Sequence, residues 1–309
     1  MKNNNSEEYI EDEIDLAVLV RALFQGKWII IGFTSLASII VVIYSLSLPN
    51  VYKAEGLLVP ISSKENVGGN VQNLGGLASL AGISLSDSTD NSAVAFEKLH
   101  SLSFFKEKIL PKINLPDLMA VESWSPGSNV ITYDPEIYDE QTNAWTREIT
   151  ALQTPEPSAQ ESFKVFMEHL TFFQDLKTKL VTISARHQSP LIAKQWADLV
   201  ISEINSFYRE KDRSEATFAV DYLNEQLSKT RLSEVKVVIA EVLAQQIQTL
   251  TLIEANNNYV FDFIDPPAVM EKKSEPRRAI ICIVGALLGG FIGVIFALFK
   301  FFKPFRLED

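Results

Sequence analysis

The side chains able to carry chemistry are few and scattered. The three histidines, His100, His169 and His187, lie far apart in the chain and belong to no Ser/His, Cys/His or metal-ligand spacing pattern. Each reads as an ordinary surface or core histidine. Asp134, Glu136, Asp139 and Glu140 gather four carboxylates within one short stretch, and a carboxylate pair is the minimum for general acid/base work. Their setting, "SPGSNVITYDPEIYDEQTNAW", is rich in Pro, Gly, Asn and Asp, so a solvated turn is the plainer reading. The stretch "ENVGGNVQNLGGLASLAGISLSDSTDNS" holds five glycines but no Gly-Lys-Ser/Thr that would cradle a phosphate. It reads either as a mobile loop with a short small-residue helix or as backbone packed closely against a neighbouring subunit. The single cysteine, Cys282, excludes an intramolecular disulfide. The expectation is therefore a protein with no catalytic, metal-binding or cofactor-binding residues.

Function then has to come from the elements themselves, beginning with two long apolar runs. Trp28 to Leu48 and Ala279 to Phe299 are each 21 residues without a charge, enough at about 1.5 Å per residue to cross a hydrocarbon core of about 30 Å. The first follows an acidic tail, "EEYIEDEID", and is too long for the core of a cleaved leader. Two crossings put both termini on one side and leave 49–278 as one large domain on the other. The expected divisions are a tail 1–27, spans 28–48 and 279–299, the domain between them and a tail 300–309. Lys and Arg flank the spans on both sides in similar numbers, so charge bias leaves orientation open; the short tails make cytoplasmic termini the simpler arrangement. Gly285, Gly289 and Gly293 recur every four residues along one face of the second span, a spacing that lets another helix approach closely. The first span, a neighbouring subunit or another protein could each be that helix.

The domain has the composition of a folded body, and the whole chain is 47% hydrophobic with 19 Phe, 8 Tyr and 4 Trp. Between Pro49 and Pro276, 20 Lys and Arg stand against 31 Asp and Glu, a balance that argues against a nucleic-acid partner. "VYKAEGLLVPI" (51–61), "KTKLVTISARH" (177–187) and "YVFDFIDPP" (259–267) have strand character. Ser189-Pro190 reads as a helix start with Ser as cap. From Leu191 to Tyr259 there is neither Gly nor Pro, so the helical run would span about 100 Å if straight. With the flanking strands near the membrane it must go out and return, but the point of reversal is not marked. Val235, Ile239, Val242, Ile247, Leu250 and Ile253 keep roughly helical spacing, as a stripe facing either the core of one subunit or a second subunit.

Taken in order, "DEIDLAVLVRALFQGKWIIIG", "VYKAEGLLVP", "LGGLASLAGISL", "LVTISARHQSPLIAKQWADLVI", "REKDRSEATFAVDYLNEQLSKTRLSEV" and "FDFIDPPAVMEKKSEPRRA" resemble the chain-length determinant proteins of bacterial surface polysaccharides, also called polysaccharide co-polymerases. The family's junction pattern, Pro-x2-Pro-x4-Ser-Pro-Lys-x11-Gly-x3-Gly, falls on Pro267, Pro276, Arg277, Gly289 and Gly293. Met270 and Glu275 stand where the second proline and the serine are expected, and Arg277 replaces the lysine. Some relatives carry a kinase after the second span, whereas here "KFFKPFRLED" follows, so no enzymatic output is expected.

The resemblance implies an α+β fold: two transmembrane helices flanking a periplasmic domain, with a membrane-proximal α/β base and a long projecting helical hairpin. It implies an inner-membrane homo-oligomer that acts with a membrane polysaccharide polymerase, with lipid-linked glycan as a further partner. The activity implied is control of product length in an O-antigen-type pathway. The competing reading is a structural scaffold or export adaptor for capsule or exopolysaccharide that leaves length alone.

Overall fold

The computed structural model describes residues 16–61, 91–151, 153–255 and 258–302. Residues 65–90 of the glycine-rich stretch, and most of both tails, lie outside the described residues. In chain order the helices are α1 (Leu16–Gln25), α2 (Lys27–Ser47), α3 (Asn91–Lys98), α4 (102–112), α5 (Leu115–Met119), α6 (Ala159–His169), α7 (Pro190–Lys229), α8 (Ser233–Ala255) and α9 (Arg278–Phe302). The strands are β1 (Tyr52–Pro60), β2 (Val121–Ser125), β3 (Val130–Tyr133), β4 (Tyr138–Asp139), β5 (Ala144–Trp145), β6 (Leu170–Gln174), β7 (Val181–His187) and β8 (Phe261–Asp265). Two compact units result: Met1–Asn50 with Ser274–Asp309, and Val51–Lys273.

In the first unit α2 and α9 pack along their lengths, with α1 against α9. In the second, a four-stranded antiparallel sheet has the order β6-β7-β1-β8. The strands expected at 51–61, 177–187 and 259–267 are three of its members, trimmed at their ends. The fourth, β6, escaped the sequence reading because it is an edge strand whose outward positions mix polar Thr171 with exposed Phe173, which blurs the two-residue alternation. The central strands are legible for the opposite reason. In β1, Ala54, Gly56, Leu58 and Pro60 are buried on one face, and in β7 Val181, Ile183, Ala185 and His187 are buried.

The stretch 125–145, expected to be a turn-rich surface excursion, holds the second strand of one small antiparallel hairpin, β2–β3, and the whole of another, β4–β5. Their turns place Asn129 and Asn143 at positive φ, a conformation that Asn tolerates better than most residues. The aromatic rings of Tyr133, Tyr138 and Trp145 stack edge to face at 5.1 to 5.6 Å, giving this excursion a small core of its own.

α7 joins the sheet to the rest. Ala193, Trp196, Ala197, Val200, Ile201, Ile204, Asn205 and Tyr208 form its buried stripe, packed on β1 and β7 and on the segment 105–109 of α4. Phe104, Phe105, Ile109, Phe166 and Phe261 complete the core. Beyond Tyr208 the only buried residue of α7 is Ala216. There α8 takes over as partner, tied by Arg213 Nε to Glu254 Oε1 at 2.5 Å. The run without Gly or Pro is thus two helices, not one. The break is 230–232, where Thr230 turns extended and its N–H and Oγ1 both donate to Gln226 O at 3.0 and 2.8 Å.

Among the described residues, three helices are long and apolar enough to cross a membrane: α2, α8 and the Arg278–Phe301 part of α9. The sequence reading counted two. α8 joins them because Val242 to Ile253 contains no charged residue.

Candidate functional site

Gly285, Gly289 and Gly293 all face α2. A Cβ at Gly285 would collide with the Val41 side chain and one at Gly289 with Ala37 Cβ, while one at Gly293 would lie 2.9 Å from Ile30 Cα. Missing side chains therefore set how closely the helix axes approach. Phe33 and Phe296 stack beside this seam at 5.3 Å. The antiparallel register continues to the end of the pair, where Arg278 Nη2 donates to Leu48 O at 3.3 Å and Asn50 Oδ1 at 3.2 Å. Arg278 thus satisfies a carbonyl that the end of α2 leaves free. Arg277 is exposed, and Pro276 closes a cis peptide with Glu275.

Pro267 lies in the other unit and is buried. A Cβ built on Gly56 of β1 would stand 3.1 Å from Pro267 Cγ and Cδ and 3.0 Å from Ile201 Cδ1 of α7. At the opposite end of β8, Asn205 is 4% exposed. Its Oδ1 accepts from the backbone N–H groups of Tyr259, Val260 and Phe261 at 3.2, 2.8 and 2.9 Å. Its Nδ2 donates to Phe261 O at 3.1 Å and Ile201 O at 3.2 Å. The sequence reading passed over both residues. A polar residue inside the apolar stripe of α7 was the available signal for Asn205, and a glycine inside a strand the signal for Gly56.

The six stripe residues of α8 divide. Ile239, Val242 and Leu250 are half-buried and Ile253 is buried, while Val235 and Ile247 are exposed. Val237, Val238 and Leu252 are exposed as well, as are Phe218 and Tyr222 on α7.

The structure brings two of the histidines together, His169 and His187, whose ring centroids lie 6.3 Å apart beside Trp196, while His100 stands outside the pair. His100 is exposed, with ring contacts to Phe96 and Phe172. His169 Nδ1 lies 2.8 Å from Arg186 O. His187 is 2% exposed, and its Nδ1 accepts from Ser189 N at 2.9 Å, so its proton sits on Nε2 and is donated to Asp117 O at 2.9 Å. Burial holds this imidazole below its ordinary pKa. Ser189, expected to cap α7 with its side chain, makes no such bond, and its N–H serves His187 instead. Asp134 Oδ1 and Asp139 Oδ1 accept from the backbone N–H groups of Glu136 and Gln141, both at 2.9 Å, an Asx-turn role. Among the described residues no three His, Cys, Asp or Glu side chains converge as a metal site would require.

Ion pairs brace α7. Lys112 Nζ meets Glu203, 8% exposed, at 2.6 Å, and Lys108 meets Glu210 at 2.8 Å; the hydrogen bond between the latter two raises the lysine pKa and lowers the glutamate's. Elsewhere, Glu161 closes a capping box with Ser158 at the start of α6 and accepts from Arg147. The arginine, with the backbone N–H of Ser158, pulls the Glu161 pKa down to about 2.

The family model described as Chain length determinant protein matches residues 12–106, which run from α1 through both α2 and β1 into α4. This match shows the likeness to the chain length determinant family. Among solved structures, a full-length bacterial polysaccharide co-polymerase is similar at 12% identity and TM-score 0.41, covering 96% of this chain and 100% of its own. A fragment of WzzB, a polysaccharide co-polymerase from Salmonella Typhimurium, is similar at 13% identity and TM-score 0.31, covering 73% and 100%. No curated protein matches the chain.

Proposed function

We propose that the protein is a non-catalytic, homo-oligomeric co-polymerase that sets the length of a lipid-linked bacterial surface polysaccharide of the O-antigen type, acting with the membrane polymerase. The family match through the first span and the strand after it carries this reading. The chain crosses the inner membrane twice, through α2 and α9, and holds Val51–Lys273 in the periplasm. α8 stays in water, because it is paired with α7. Lys211, Glu215, Asp221, Glu225 and Lys229 stand exposed on that partner, and charges of that number have no place in hydrocarbon. The two helices form a hairpin that projects from the sheet, and the exposed Val235, Val237, Val238, Ile247 and Leu252 meet a second copy.

The test is the surface polysaccharide ladder on a gel from cells with and without the protein. A modal length that is lost or shifted, together with a defined oligomer in sedimentation, is the expected result. An unchanged length distribution with less polysaccharide at the surface would replace this reading by an export scaffold.

A further inference from the structure

We infer that Gly56 is a positioning residue: it is the seat of Pro267, and this seat, with Asn205 at the other end of β8, fixes the strand through which the domain is handed to the second span. The inference rests on the length-control reading. β8 is only five residues long and sits at the sheet edge, bonded on one side to β1 with a register shift at Leu57/Leu58. A strand this short has little hold of its own. It is held at its ends instead. Upstream, the Asn205 carboxamide takes three successive backbone N–H groups. Downstream, the Pro267 ring fills the space over Gly56.

Gly56 needs a reason to be glycine. Its φ lies outside the left-handed region, and it sits in a regular antiparallel pair with Ile183, where a β-branched residue would be favoured and glycine weakens the strand. Room is the reason that remains. Of the atoms a Cβ would press, Ile201 Cδ1 is the end of a fully buried side chain that can yield a few tenths of an ångström through its χ2 torsion. The Pro267 ring cannot, because its atoms close on the backbone. A side chain at 56 therefore displaces the main chain at 267 and the start of the link to α9, while leaving the sheet register alone.

The experiment expresses full-length Gly56→Ala, Gly56→Val, Pro267→Ala and Gly56→Val/Pro267→Ala in cells lacking their own copy. It reads the ladder, the membrane protein level and the melting temperature in mild detergent. Gly56→Val should shorten or disperse the modal length at normal protein level, with Gly56→Ala intermediate. Its melting temperature should fall by roughly 2 to 8 °C. Pro267→Ala alone should also lower it. In the Gly56→Val background, however, the same change should raise it and move the ladder back toward wild type, because the valine then occupies the space of the ring. Simple addition of the two losses, or a wild-type ladder for Gly56→Val at normal level, overturns the inference. If Gly56→Val fails to accumulate, Gly56→Ala with and without Pro267→Ala decides by the same sign reversal. A ladder indifferent to the protein's absence overturns the length-control reading alone, since the melting test of the seat stands without it.

Discussion

Replacing Asn205 by Ala should be among the most damaging single changes in the Val51–Lys273 unit. The substitution strips the acceptor from three backbone N–H groups, of Tyr259, Val260 and Phe261, and the donor from Phe261 O and Ile201 O. A buried donor left unsatisfied costs about 1 to 3 kcal/mol. Val260 and Phe261 are buried and cannot turn to water without opening the core. Allowing water to reach Tyr259, which is half-buried, the sum is roughly 3 to 5 kcal/mol, a large share of the stability of an ordinary domain. Asn205→Asp keeps the acceptor but turns a carboxylate oxygen toward Phe261 O and Ile201 O, so it should also destabilise, and less so at low pH, where the protonated carboxyl can donate again. The measurement is the urea midpoint of the full chain in mild detergent, read by tryptophan fluorescence, alongside hydrogen exchange of the 259–261 amides. An Asn205→Ala protein within about 1 kcal/mol of wild type, with those amides still protected, would refute the account of Asn205 as the anchor of β8.

Two further outcomes are expected. Gly289→Leu with Gly293→Leu should insert at normal level, since leucine suits a membrane helix, but should separate α9 from Ala37 and Ile30 of α2 and so shorten or disperse the polysaccharide ladder; a normal ladder would leave the seam without a part in length control. His187, faced by His169 and by Asp117, whose carboxylate is held by the Tyr133 hydroxyl at 2.6 Å, titrates below its ordinary value when folded. The unfolded chain then binds the extra proton first, so stability should fall as pH drops below about 6.5. In His187→Gln that part of the slope in urea midpoint against pH should vanish, and an identical slope would remove His187 as its source.

How much of this was written in the residues depends on which physical signal each element carries. The helices α2 and α9 announce themselves by length without charge, and β1 and β7 by alternation against a buried face. The glycine seam was visible as a spacing, but spacing alone cannot name the opposing helix; Val41, Ala37 and Ile30 could be identified only once α2 and α9 were paired. The reversal at 230–232 was hidden because its residues, Thr-Arg-Leu, include no Gly or Pro. The stripe on α8 was read as one face, yet Ile253 packs inside the chain while Val235 and Ile247 do not, a distinction set by where α7 ends its own burial. Asn205 and Gly56 act through main chain 50 or more residues away, as the Asn205 bonds to residues 259–261 illustrate, and no local pattern encodes such a partner.

The clasp between Leu48 and Arg278 also bears on how the rest of the chain folds. With α2 and α9 zipped in antiparallel register, the exit from one and the entrance to the other are neighbours, so Val51–Lys273 is a closed loop before it has any structure of its own. The α2–α9 pair is then a noncovalent cross-link on the unfolded domain. For a loop of this length the entropy withheld from the disordered state corresponds to about 5 kcal/mol, comparable to that of a disulfide closing the same ring. Cut from α2 and α9, the domain would keep every contact in its core and still be easier to unfold, because its disordered chain would have been released.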